Sequence, residues 1–102
     1  MKLAAVIVLA AVLVVFSGAA QAATHQVLIK DFKFRPDSIT INKGDTITWT
    51  HPGPASHTVK FVDSESPILK NGTSYSKTFN AAGTFPYECG IHPYMKGKVT
   101  VK

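Results

Sequence analysis

The chain has one cysteine, Cys89, in 102 residues. An internal disulfide is therefore excluded, and a lone thiol in an oxidising compartment invites oxidation or intermolecular pairing unless something protects it. Acidic residues are also scarce, six Asp and Glu against eleven Lys and Arg. The basic residues are scattered, with no dense Lys/Arg run and no interleaved aromatics, so nothing argues for nucleic-acid binding. Charge is missing altogether from Leu3 to Gln26. No segment carries a sustained helical period, which leaves strands and turns as the reading for the rest.

The uncharged start is read first. Lys2 is a short basic region, Leu3–Phe16 an uninterrupted apolar run, and Ala20-Gln21-Ala22 an A-x-A cleavage signal. Residues 1–22 are therefore expected to be a signal peptide cleaved after Ala22, and residues 23–102 a single small domain exported to the periplasm. The competing reading is an uncleaved anchor. A span needs about 20 strongly apolar residues, whereas after Phe16 the run fades into Ser, Gly, Ala and Gln. Without Lys2, ten basic residues oppose six acidic ones, a formal charge of about +4 that favours acidic partners without revealing the fold.

Beyond the leader, short alternating segments are separated by turn residues. His25–Asp31 predicts a first strand, and Pro36 in Phe32–Asp37 predicts an edge or a connection. Ser38–Asn42 and Thr46–Thr50 alternate around Lys43-Gly44-Asp45 and are read as a hairpin, with Ile39, Ile41, Ile47 and Trp49 inward. His57–Phe61 alternates with His57, Val59 and Phe61 on one face. Thr73–Phe79, Thr84–Glu88 and Lys96–Lys102 complete the set. Many short strands without helices predict an antiparallel sandwich or barrel.

The stretch Tyr87-Glu88-Cys89-Gly90-Ile91-His92-Pro93-Tyr94-Met95 places a thiol, an imidazole and a thioether in one loop. Two His, one Cys and a weak axial Met are the ligand set of blue-copper electron-transfer sites. The loop supplies Cys89, His92 and Met95, so one further His is required. His57 is preferred because it heads the inward row of Val59 and Phe61. His51 competes, but it sits before two prolines and lacks that row. The plain reading of Cys89 alone is a small buried hydrophobe; His92 and Met95 beside it favour the metal. Phe85, Tyr87 and Cys89 share one parity and Met95, Gly97, Val99 and Val101 another, so the loop should join the inward rows of two strands. Pro93 should stiffen it against a helical turn.

His25 would stand third after cleavage at Ala22. An amine, two amides and an imidazole can form a square-planar set for Cu(II) or Ni(II); a simple strand-edge His is the preferred reading. Ile91, Pro93 and Tyr94 border His92, so its ring edge is expected to reach the surface through an apolar patch, with local packing as the competing explanation.

Phe34–Trp49, Ser56-His57-Thr58-Val59 and Tyr87–Met95 together resemble the cupredoxins of the plastocyanin and azurin type, and the C-x-x-H-x-x-M spacing is most similar to the amicyanin branch. The likeness spans nearly all of the mature chain. It implies an all-β, Greek-key β-sandwich with one type 1 copper ion, His57 as the upstream ligand, and Cys89, His92 and Met95 as thiolate, second imidazole and axial thioether. It implies a monomeric electron carrier, not an enzyme, whose partners are redox proteins with an acidic or apolar face, such as an exported dehydrogenase and a cytochrome c. The alternative is a copper carrier that hands the metal to a partner. An oxidase or nitrite reductase would need further His ligands, and no H-x-H pair occurs. Two departures stand out. Thr58 follows His57 where many members have Asn, so the bracing between the ligand loops is expected to differ. The interval from His57 to Cys89 is short, which bears on a middle strand and the docking surface it would carry.

Overall fold

A computed structural model describes residues 21–51 and 53–102. The expected leader, residues 1–22, lies almost entirely outside the described residues. The described chain folds into seven strands, β1 (Thr24–Lys30), β2 (Lys33–Arg35), β3 (Ser38–Ile41), β4 (Thr46–His51), β5 (Thr73–Thr78), β6 (Gly83–Glu88) and β7 (Lys96–Val101). They form two sheets, ordered β2-β1-β4-β5 and β3-β7-β6.

Strand β4 shows why the sequence folds this way. Thr-Ile-Thr-Trp-Thr-His alternates β-branched polar and apolar residues, and Ile47, Trp49 and His51 are buried while the three threonines are half-buried. The outer hydroxyls pair across to β5, Thr46 with Thr78 at 2.7 Å and Thr48 with Ser76 at 2.8 Å, contacts worth a few tenths to about 1 kcal/mol each. Inward, Val27, Ile29, Ile47 and Trp49 of one sheet meet Ile41, Tyr87, Val99 and Val101 of the other. Truncating a fully buried Trp such as Trp49 typically costs about 3–5 kcal/mol.

Three expectations need correction. β3 and β4 are not a hairpin. β3 pairs with β7 and β4 with β1 and β5, so the Lys43–Asp45 turn carries the chain from one sheet to the other. The turn is held by contacts outside itself: Lys43 N–H donates to the Lys102 carbonyl at 3.0 Å and Gly44 N–H to that of Phe79 at 2.7 Å. Alternation fixed the inward faces of both strands, but inward faces also meet when strands oppose each other across a core.

The sandwich is also mixed: β1–β4 and β3–β7 are parallel. His57–Phe61 is the third case. It forms no regular strand and pairs only through isolated bridges, His57 with Leu69 and Lys60 with Glu65 and Glu88. His57, Val59 and Phe61 are buried as expected, and Thr58 is buried as well. The short interval thus appears as a segment between β4 and β5 without a regular strand of its own.

Candidate metal centre

The β6 and β7 ladder runs up to Glu88 opposite Lys96. One further bond, from Cys89 N–H to the Met95 carbonyl at 3.1 Å, closes the loop immediately beyond it. Cys89 and Met95 therefore extend the buried rows of their strands, at 0 % and 2 % exposure. Within the loop, Met95 N–H donates to the His92 carbonyl at 2.9 Å. Pro93 occupies the second position of that four-residue turn, where its fixed φ is favoured.

His57 arrives from the other side. Its N–H and carbonyl bond Leu69 at 3.0 and 2.7 Å, and Lys60 and Glu88 exchange two backbone bonds at 2.7 and 3.0 Å. This clasp fixes the His57 segment to the end of β6. As a result, His57 Nδ1 lies 3.6 Å from Cys89 Sγ, His92 Nδ1 3.7 Å from the same sulfur, and the two Nδ1 atoms 3.2 Å apart. A point equidistant from all three is about 2.0 Å from each, close to the ~2.0–2.3 Å of transition-metal bonds to imidazole and thiolate. The donors present thus fit a soft transition-metal ion, with the buried Met95 in the same loop.

The surroundings favour ligation. Two N–H groups, of Thr58 at 3.4 Å and His92 at 3.3 Å, point at the Cys89 sulfur, and donors of this kind stabilise a thiolate. Burial, followed by the neighbouring His51 and His92, pushes the His57 pKa down to about 4. The ring is therefore neutral at ordinary pH, as a ligand must be. Beneath the site, Trp49 Nε1–H donates to the Tyr87 hydroxyl at 3.2 Å, and burial drives that phenol up to about 12.

The competing histidines have other engagements. His51 is buried with its ring 4.9 Å from that of His57. Gly53 N–H donates to its Nδ1 at 3.1 Å, and its Nε2 meets the Ala55 carbonyl. Both nitrogens serve the His51 loop, and the convergent donor set is His57, Cys89 and His92. His25 Nε2 bonds the buried Asp45 carboxylate at 2.9 Å, and Ala23 N–H bonds its other oxygen at 2.9 Å. From Thr24 the chain is extended in β1, and successive strand amides point in opposite directions. In the folded chain the His25 ring is thus engaged by Asp45 as part of β1. His92 is half-buried, while Ile91, Pro93 and Tyr94 are exposed around it, as expected for the patch. Glu65 was not singled out from the sequence. Its carboxylate accepts a hydrogen bond from the Thr58 hydroxyl at 2.8 Å across a loop, a placement that no spacing signal reports.

Comparison with known proteins agrees with this geometry. The cupredoxin-like domain profile matches residues 3–101. The chain belongs to the cupredoxin-like family. This cupredoxin is 39 % identical to amicyanin-alpha of Methylorubrum extorquens over 90 residues, covering 81 % of this chain and 76 % of that one. It is 36 % identical over 81 residues to amicyanin of Paracoccus denitrificans, covering 72 % of this chain and 62 % of that one. Among solved structures, an oxidized amicyanin variant superposes with a TM-score of 0.76 at 35 % identity, covering 78 % of this chain and 82 % of that one. A Cu(I) form of another amicyanin variant gives 0.76 at 34 % identity and the same coverage.

Proposed function

We propose that this cupredoxin is a small blue-copper electron carrier, whose one type 1 copper ion would be held by His57, Cys89, His92 and Met95. The observation that carries the reading is the donor triangle, with sides of 3.2 to 3.7 Å, built from two separate chain segments. Bound copper would supply a one-electron couple. The chain's own part is to keep the shell still. The Lys60–Glu88 clasp holds one segment against the other, the Pro93 turn holds His92 beside Met95, and two N–H groups hold the sulfur. A cage fixed by its backbone changes little between valences, so each transfer carries a small reorganisation cost.

Electrons are proposed to pass through the half-exposed edge of His92, within the patch of Ile91, Pro93 and Tyr94. Partners would be redox proteins with an apolar or acidic docking face, such as an exported dehydrogenase and a cytochrome c. Residues 1–22 are proposed to be removed on export, leaving residues 23–102 as a periplasmic, non-enzymatic carrier. The test is the visible and EPR spectrum of copper-loaded protein beginning at Ala23. An intense thiolate-to-Cu(II) band with narrow hyperfine splitting is expected, and its absence would end the proposal. Repeated oxidation and reduction then separates the two roles. An electron carrier keeps its copper through the cycles, whereas a copper carrier loses it to an added acceptor.

A further inference from the structure

β1 and β2 are joined by only two residues, Asp31 and Phe32, between the paired Lys30 and Lys33. Both have positive φ, 55° and 56°. A two-residue hairpin turn with both central residues left-handed is the type I′ turn, whose preferred sequences are Asn-Gly and Asp-Gly. Asp31 suits the first position. The second calls for glycine, and a bulky side chain there sets its Cβ against the backbone. Strained residues of this kind persist where the surroundings hold them, often at functional sites.

The turn itself gives no reason for an aromatic ring, and Phe32 is 44 % exposed. What the ring does reach is the ligand pair. It stands edge-on to His57, with centroids 5.4 Å apart and planes at 79°, and edge-on to His92, at 5.1 Å and 88°. Those two imidazoles come from segments 35 residues apart, and Phe32 touches both. We propose that Phe32 is a positioning residue of the metal centre: it sets the ring planes of His57 and His92 and covers their shared outer edge, at the cost of strain in the β1–β2 turn. This rests on the function proposed above and adds to it a side chain that is not a ligand.

The experiment separates ring from strain with F32A and F32G, since both remove the ring and only glycine relieves the turn. In metal-free protein, F32G should melt above F32A, and both should move the ring-proton NMR signals of His57 and His92. In copper-loaded protein, both should release copper to a chelator about tenfold faster than the parent, the scale of losing edge-to-face aromatic pairs. F32Y should retain copper like the parent. Parent-like release from F32A and F32G, or equal melting of the two metal-free variants, would overturn the proposal. The metal-free arm does not depend on the copper reading, so a parent protein without a type 1 spectrum would count against the proposed function alone.

Discussion

The Thr58 hydroxyl donates to the Glu65 carboxylate at 2.8 Å and accepts the Gly90 N–H at 2.8 Å. A hydroxyl has one proton, so giving it to Glu65 leaves a lone pair facing Gly90. The residue after His57 thereby holds the residue after Cys89. A side chain at Gly90 would collide with this pair, because its Cβ would lie 2.8 Å from Thr58 Oγ1 and closer still to the Glu65 carboxylate. Replacing Thr58 by Val keeps the shape and removes the relay, stranding a half-buried N–H. The expected loss is about 1–3 kcal/mol in urea denaturation, with altered copper hyperfine splitting. E65Q, which keeps an acceptor, should fall between T58V and the parent. An unchanged denaturation midpoint in T58V would mean that the relay carries no energy.

Gly97 lies opposite Tyr87 in the β6–β7 ladder. A Cβ at Gly97 would come within 2.6 Å of Tyr87 Cε1, so the phenol ring occupies the place of the missing side chain. The hydroxyl of that ring also accepts the Trp49 bond. G97A should cost about 1–3 kcal/mol through overpacking. Because Trp49 is the chain's only tryptophan, its fluorescence should shift as the indole loses its partner. A stability loss without any shift would place the strain elsewhere.

The sequence was informative where chemistry and parity coincide. Cys89, His92 and Met95 stood out because their donor atoms limit the metals they suit, and Tyr87–Cys89 and Met95–Val101 because strand period fixes a face. The choice of His57 over His51 rested on the inward Val59 and Phe61, which are indeed buried beside it. Strand partnership was harder to read. Ile39, Ile41, Ile47 and Trp49 point into the core whether β3 and β4 pair or oppose each other, so the pattern could not separate a hairpin from a crossover between sheets. Glu65 and Phe32 were missed for a related reason. Their roles come from contacts across loops, and neither side chain has a metal-binding donor pattern to attract notice.

Asp45 ties the start of the domain to the sheet crossover. The Ala23 N–H, the His25 side chain and the Asn42 N–H all bond its carboxylate, and together they outweigh burial and bring its pKa down to about 2 from 3.8. A depressed carboxylate stabilises the fold above its unfolded pKa, and that contribution disappears as pH falls through the folded value. The denaturation midpoint of the parent should therefore drop between about pH 4 and pH 2. D45N should be less stable at neutral pH and flatter over that window; an equally steep acid limb in D45N would assign the loss to other groups.

Tyr94 is 68 % exposed, with its ring 6.0 Å from that of His92. A charge at this position must be desolvated whenever an apolar partner docks, yet it lies outside the donor triangle. Tyr94→Glu should slow electron exchange with a partner protein by roughly tenfold, the equivalent of about 1.4 kcal/mol, while leaving the visible band in place. Stopped-flow measurement beside an absorption spectrum makes the comparison. Parent-like exchange would move the electron port away from this patch.

The buried His57 ring gives a second acid signature in metal-free protein, separate from that of Asp45. Desolvation and the neighbouring imidazoles hold its pKa at about 4, below the ordinary 6.5. Between those values the unfolded chain takes up a proton that the folded chain refuses. The fold therefore keeps this contribution in full above about pH 6.5 and loses it progressively as pH falls towards 4; below that both states are protonated and the slope ends. Metal-free H57N should lose that slope. The His57 Cε1 proton followed by NMR should titrate with a midpoint near 4, below any solvated imidazole. A midpoint near 6.5 would show that the ring is reached by water, and with it would go the explanation of why His57 is neutral and ready to bind a metal well into the acid range.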